Sequence, residues 1–191
     1  MELIGPFALS KEEATLLAAG IAAAASVLKL ISDALSARGQ ATRAAHRSTL
    51  EPYLARLGTA IHQVTAGVVL VHRRFKGGQE PGNAFQNAQH AAQLLKDLRL
   101  EVKYALGGAD ESLRVLTRAP DWIATYKGDA SGDQLVAKLQ QLSKLLDEVV
   151  SNSYRKGRPP SWYERRRLAA ASAKTRDTWE QRFGRDPEAV I

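Results

Sequence analysis

Apolar residues recur along this chain with a helical period over most of its length. The clearest case starts at Leu50: Leu50, Leu54, Leu57, Ile61, Val64, Val68 and Val71 fall at alternating spacings of four and three. That is an a/d seam held for three heptads, and Phe75 extends it. Leu135, Leu139, Leu142, Leu146 and Val149 repeat the spacing and offer a second seam for the first to pack on. Between them, Ala88, Ala92, Leu95, Leu98, Val102 and Ala105 give a thinner face whose small side chains allow close packing. Strand signals are nearly absent; the β-branched run from Val68 to His72 lies inside the helical pattern. The pattern predicts an all-α fold, a bundle of four to six helices with long antiparallel helices and a hydrophobic, Ala-rich N-terminal helix.

Capping and breaking residues set the expected bounds. Ser10 with Glu13 is a capping box that starts the first helix, and Arg38-Gly39 reads as its end. Residues 40–47 could be helical alone or extend either neighbour. Ser48 with Glu51, followed by Pro52, reads as a second start, and Lys76-Gly77-Gly78 as a stop. Gly58 and Gly67 lie off the seam and permit close helix approach. A third helix is expected over about 83–106, ended by Gly107-Gly108. Residues 109–130 read as a short helix, a kink at Pro120 and a connector that tucks Trp122 and Ile123 into the core. Ser131 with Gln134 opens a helix running to about Tyr154, and the segment RKGRPP at 155–160 stops it. Ser161 with Glu164 opens a last helix to about Phe183. Its sparse inner positions, Leu168, Ser172, Thr175 and Trp179, suggest a peripheral place.

The N-terminal stretch 14–28, ATLLAAGIAAAASVL, has no charge, and the apolar run continues past Lys29 to Ile31. At ~1.5 Å per residue the uncharged part falls a little short of a bilayer's ~30 Å hydrocarbon core. Two readings compete. In one the helix enters the membrane, with Leu16, Leu17, Ile21, Val27, Leu28 and Ile31 in contact with lipid. In the other it is the central helix of a soluble bundle, apolar all round because it is surrounded. An acidic flank precedes the stretch (Glu2, Glu12, Glu13) and a basic one follows (Lys29, Arg38, Arg43, Arg47). Basic residues beside a span stay in the cytoplasm. The expected organisation is a membrane helix over 1–37 and a cytoplasmic bundle over 38–191, single-pass in the cell membrane; the alternative is a wholly cytoplasmic protein. Without a basic lead, the stretch is a poor secretory signal.

Charge sharpens this picture. The 191 residues carry net +7, spread as −2 over 1–36, +6 over 37–77, −1 over 78–130 and +4 over 131–191. The large positive block directly follows the apolar stretch, which favours an anionic membrane as partner. A second basic cluster is Arg155, Lys156, Arg158, Arg165, Arg166 and Arg167, interleaved with Tyr154, Trp162 and Tyr163. Arginine binds phosphate in a two-pronged fashion, and Trp or Tyr suits a lipid interface or a stacked base. Lipid or an unknown protein partner fits this cluster better than nucleic acid, whose motifs are missing. Gly20 with Ala24 and Ala19 with Ala23 are small-xxx-small pairs that suit a homo-oligomer, though any Ala-rich run contains such pairs.

The chemistry of catalysis leaves little trace. There is no cysteine, and His46, His62, His72 and His90 make neither HExxH nor any i, i+3 or i, i+4 pair. No Glu-x-x-His occurs on the long helices, so a di-metal bundle is not expected. There is no GxGxxG, Walker lysine motif or GxSxG. The expectation is therefore no enzyme, no metal and no cofactor. In layout, the apolar lead GPFAL at 5–9 and the Ala-rich run before a bundle are loosely similar to pore-forming cell-death bundles of the HeLo type. The likeness is one of architecture and carries over no site residue. The function expected is a non-enzymatic, membrane-associated bundle acting by assembly, as anchor, scaffold or membrane-perturbing effector. The alternative is a soluble helical adaptor that binds protein or nucleic acid through 155–167.

Overall fold

A computed structural model describes the backbone of residues 11–184 and the side chains of residues 26–184. Five helices follow in order: α1 (Lys11–Lys76), α2 (Asn83–Val102), α3 (Asp110–Tyr126), α4 (Gly132–Lys156) and α5 (Trp162–Phe183). The described residues contain no strand. The fold is an all-α bundle with one long N-terminal helix. The chain divides into two compact units, Met1–Thr42 and Arg43–Ile191, and the division falls inside α1.

Two expected helices are therefore one. Gly39 does not end the first, and Ser48 does not cap a second. A glycine inside a helix costs only ~1 kcal/mol relative to alanine, and QATRAAHR after it is made largely of good helix formers. The Thr42 hydroxyl donates to the Arg38 carbonyl (2.9 Å), and Ser48 and Thr49 both donate to Ala45 O (2.9 Å each). The hydroxyl expected to cap thus bonds backwards along the helix, as Ser and Thr do in helix interiors. α3 likewise runs unbroken through Pro120, which is buried.

In the second unit the two seams meet. Leu50, Leu57, Ile61, Val64, Val68 and Val71 are buried, as are Leu135, Leu139, Leu142, Leu146 and Val149; Leu54 is half-buried against them. Three contacts fix the register of α1 on α4: His72 with Asp133, Gly58 beside Asp147, and His46 with Ser153. As one number rises the other falls, so these helices run antiparallel. Gly67 lets α2 come close: a Cβ there would lie 2.7 Å from that of Ala88. α2 packs antiparallel on α3 through Gln89–Asp121 and Arg99–Asp110. Trp122 and Ile123 are in the core as expected.

α5 is not peripheral. It packs on both α3 and α4, with Leu168, Ser172, Thr175 and Trp179 buried. Its polar inner residues find partners there. Ser172 shares a buried hydrogen bond with Ser112 (2.8 Å), Thr175 donates to Ala171 O, and Trp179 Nε1 donates to Thr125 (3.1 Å). Trp179 also stacks on Trp122 at 5.5 Å between ring centres. The pairings 112 with 172 and 125 with 179 show that α3 and α5 run parallel.

Candidate functional site

The first surface lies on α1. From Ser26 to Arg38 every side chain is exposed. Val27, Leu28, Leu30, Ile31 and Leu35 are among them, each between 51% and 69% exposed. At 3.6 residues per turn these five fall on one side of the helix, and Lys29, Ser32, Asp33 and Ser36 on the other. The described part of the apolar stretch is thus amphipathic, with its apolar side exposed. Leu16, Leu17 and Ile21 lie outside the described side chains. Lys29 and Arg38 are exposed.

By length and composition α1 could cross a membrane: within 26–76 it holds a window of mean hydropathy 1.4. A third of that window is buried, whereas no residue of 26–49 is, so the window lies in the part of α1 that packs in the bundle. A core helix meets the same test of length and hydropathy. The exposed side chains of 27–35, rather than hydropathy alone, are what distinguish the N-terminal part.

The second surface is a corner that sequence spacing could not assemble. Arg43 and Arg47 of α1 lie against the end of α4, next to Arg155, Lys156 and Arg158. Gly157 turns the chain here in the left-handed conformation (φ 61°), and a Cβ on it would come within 2.7 Å of both Arg43 Cβ and Arg43 O. Arg47 donates from Nε to Tyr154 O (3.2 Å) and from Nη2 to Arg155 O (2.6 Å). These are last-turn carbonyls of α4, so Arg47 caps a helix C-terminus and complements its dipole. The sequence places it among residues binding anionic lipid or a partner; no local signal reveals a capping contact more than a hundred residues away.

Beneath it, Ser153 gives its single hydroxyl proton to Arg158 O (2.7 Å). The His46–Ser153 bond (3.0 Å) must then run from His46 Nε2–H, which fixes the tautomer. Burial lowers the His46 pKa below its ordinary value, so the ring stays neutral at neutral pH.

Continuing into α5, Ser161 and Glu164 form the expected capping box, with Ser161 N and Oγ each 2.7 Å from Glu164 Oε2. Burial pushes the Glu164 carboxyl up, but the Ser161 hydrogen bonds, with Lys156 and Arg158 at 3.6 and 3.7 Å, outweigh it and hold it below the usual range. The cluster's one opposing carboxylate is therefore taken up in structure. Arg165, Arg166 and Arg167 are exposed. Arg165 lies along Gly108, Arg166 over the Trp162 ring (5.2 Å) and Arg167 over Tyr163 (5.8 Å), the last also 3.7 Å from Glu148. Trp162 and Tyr163 are themselves nearly two-thirds exposed. Such a surface can bind phosphate oxygens and offer flat rings to an interface.

The histidines stay apart in role. His72 is buried and bonds Asp133 Oδ1 (2.8 Å), while exposed His62 and His90 line one shallow groove. Among the described residues no three His, Asp or Glu side chains group as metal ligands. Comparison with protein-family models, with curated proteins and with solved structures finds no match.

Proposed function

We propose that this protein is a non-enzymatic, membrane-associated helical bundle that acts by assembly. The supporting observation is the exposed apolar side of α1, Val27, Leu28, Leu30, Ile31 and Leu35. A helix with an apolar side and a charged side settles into the boundary between headgroups and acyl chains, or inserts with others of its kind. Lys29, Arg38 and the alanine-rich lead before them suit anionic headgroups and close helix approach. In this reading the C-terminal bundle stays in the cytoplasm, because the basic residues follow the apolar stretch.

Flotation of the full chain with anionic vesicles tests it. Wild type should float and stay bound through a high-salt wash; the double variant Leu28→Asp, Ile31→Asp should remain at the bottom with an unchanged bundle melting temperature. A chain that is monodisperse in detergent-free buffer and never floats would overturn the reading.

A second reading draws on Trp162 and Tyr163, held open beside three arginines. There the protein is a soluble adaptor gripping an acidic partner through 155–167. It predicts salt-sensitive capture lost on reversing Arg165, Arg166 and Arg167 to Glu, with no dependence on Leu28 or Ile31.

A further inference from the structure

Another concentration of positive charge lies in a cleft of about 300 Å³ walled by α2, α3 and α5. Lys96 and Arg99 reach it from α2, Arg114 and Arg118 from α3, and Arg176 from α5. Asp110 and Glu180 pair with Arg99 and Arg176 from beside the cleft, and two more carboxylates, Glu111 and Asp121, share its lining, so the five cations exceed these carboxylates by one. Both lining carboxylates are engaged. Glu111 accepts from Arg114 Nε at 2.9 Å through Oε2 and from Arg176 Nη1 at 2.8 Å through Oε1, and Asp121 accepts from Gln89 at 3.0 Å. Glu111 therefore acts as a brace that sets two guanidinium planes at the cleft. Arg99 pairs with Asp110 by charge, Nε to Oδ1 at 3.0 Å, without hydrogen-bond geometry. Arg99, Arg114 and Arg176 are only 22% to 31% exposed, so their charges are poorly screened.

The geometry points to a binding site for a phosphate-bearing small molecule or headgroup. The guanidinium groups of Arg99, Arg114 and Arg176, from three helices, carry more N–H donors than their contacts with Asp110, Glu111 and Glu180 use. A phosphomonoester brings a charge near −2 and three acceptor oxygens, which match that supply. Ala92, Val115 and Pro120 give the cleft an apolar wall for an organic body, and its volume sits at the lower end of the small-ligand range. The site stands apart from the membrane reading, because it rests on the net charge and bracing of the lining and uses no residue of α1.

Calorimetric titration of the full chain with inorganic phosphate and with inositol trisphosphate, at matched ionic strength, tests it. Both should bind saturably, the trisphosphate more tightly. Arg99→Gln and Arg176→Gln should each weaken binding about tenfold, the scale of one charge-assisted contact. Lys96→Gln, at the exposed rim, should weaken it about threefold without touching the fold. Arg166→Gln, outside the cleft, should bind as wild type does. Phosphatidylcholine vesicles with and without a phosphoinositide separate the two sources. Phosphoinositide-dependent recruitment that weakens in Lys96→Gln to the same extent as binding of the soluble probes identifies a lipid headgroup, and binding of the soluble probes alone identifies a free phosphorylated compound. No saturable binding, or affinities unchanged in Lys96→Gln and Arg99→Gln, would overturn the site.

Discussion

One helix carries two kinds of apolar surface. Between Leu50 and Val71, α1 sets a seam of large aliphatic side chains four and three apart, and every member but Leu54 is fully buried, while Val69 and Leu70 off the seam are not. Between Val27 and Leu35 it carries five more, all at least half exposed. The two stretches differ less in hydrophobicity than in spacing. A narrow, regular seam meets one neighbour at fixed intervals, whereas the side chains of the broader N-terminal stripe are exposed. Regularity of spacing, rather than apolar content, marked the true core.

The largest test of that contrast is truncation in each half. Leu57→Ala should cost about 2–5 kcal/mol in urea unfolding, since it empties a fully buried site. Leu28→Ala should change stability by no more than ~0.5 kcal/mol while weakening vesicle binding. Comparable losses from both would end the distinction. The glycines give the next largest effect. Gly67→Val forces side-chain atoms into Ala88 and should cost about 1–3 kcal/mol, whereas Gly39→Ala, with nothing within 4 Å, should add up to ~1 kcal/mol of helix stability. Circular-dichroism melts would show the opposite signs.

A smaller effect, of ~1 kcal/mol, is expected at the α5 cap. The folded Glu164 carboxyl lies below its ordinary pKa, so its stabilising contribution is fully present above pH 4.5 and is lost as pH falls through the folded value. Unfolding free energy measured from pH 6 downward should decline less steeply in Glu164→Gln than in wild type. Equal slopes would show that the cap contributes no ionic stabilisation.

Most of the fold was legible in the order of residues. Both seams, the stop at Gly77-Gly78, the burial of Trp122 and the capping box at Ser161 were all visible, because each depends on neighbours within a turn or two. Gly39 and Pro120 misled, since local breaking tendencies of this size yield to well-formed helix on both sides. The role of α5 was hidden because Ser172 and Thr175 look like surface residues until Ser112 and the helix's own carbonyls supply their partners. The basic corner was half legible: residues 155–167 stood out, but their junction with Arg43 and Arg47 depends on packing across the whole bundle. The cleft left no linear trace at all, its five cations being spread over three helices.

The parallel run of α3 and α5 has a kinetic consequence. Side-by-side parallel helices cannot be joined by a tight turn, and Ser112 meets Ser172 across a separation of 60 residues; α1 and α4 meet across separations of 61 to 107. The α2–α3 hairpin closes far shorter loops. Contact order therefore divides the folding reaction, with that hairpin free to assemble early and the sealing of α5 waiting on the slow, entropically costly closures.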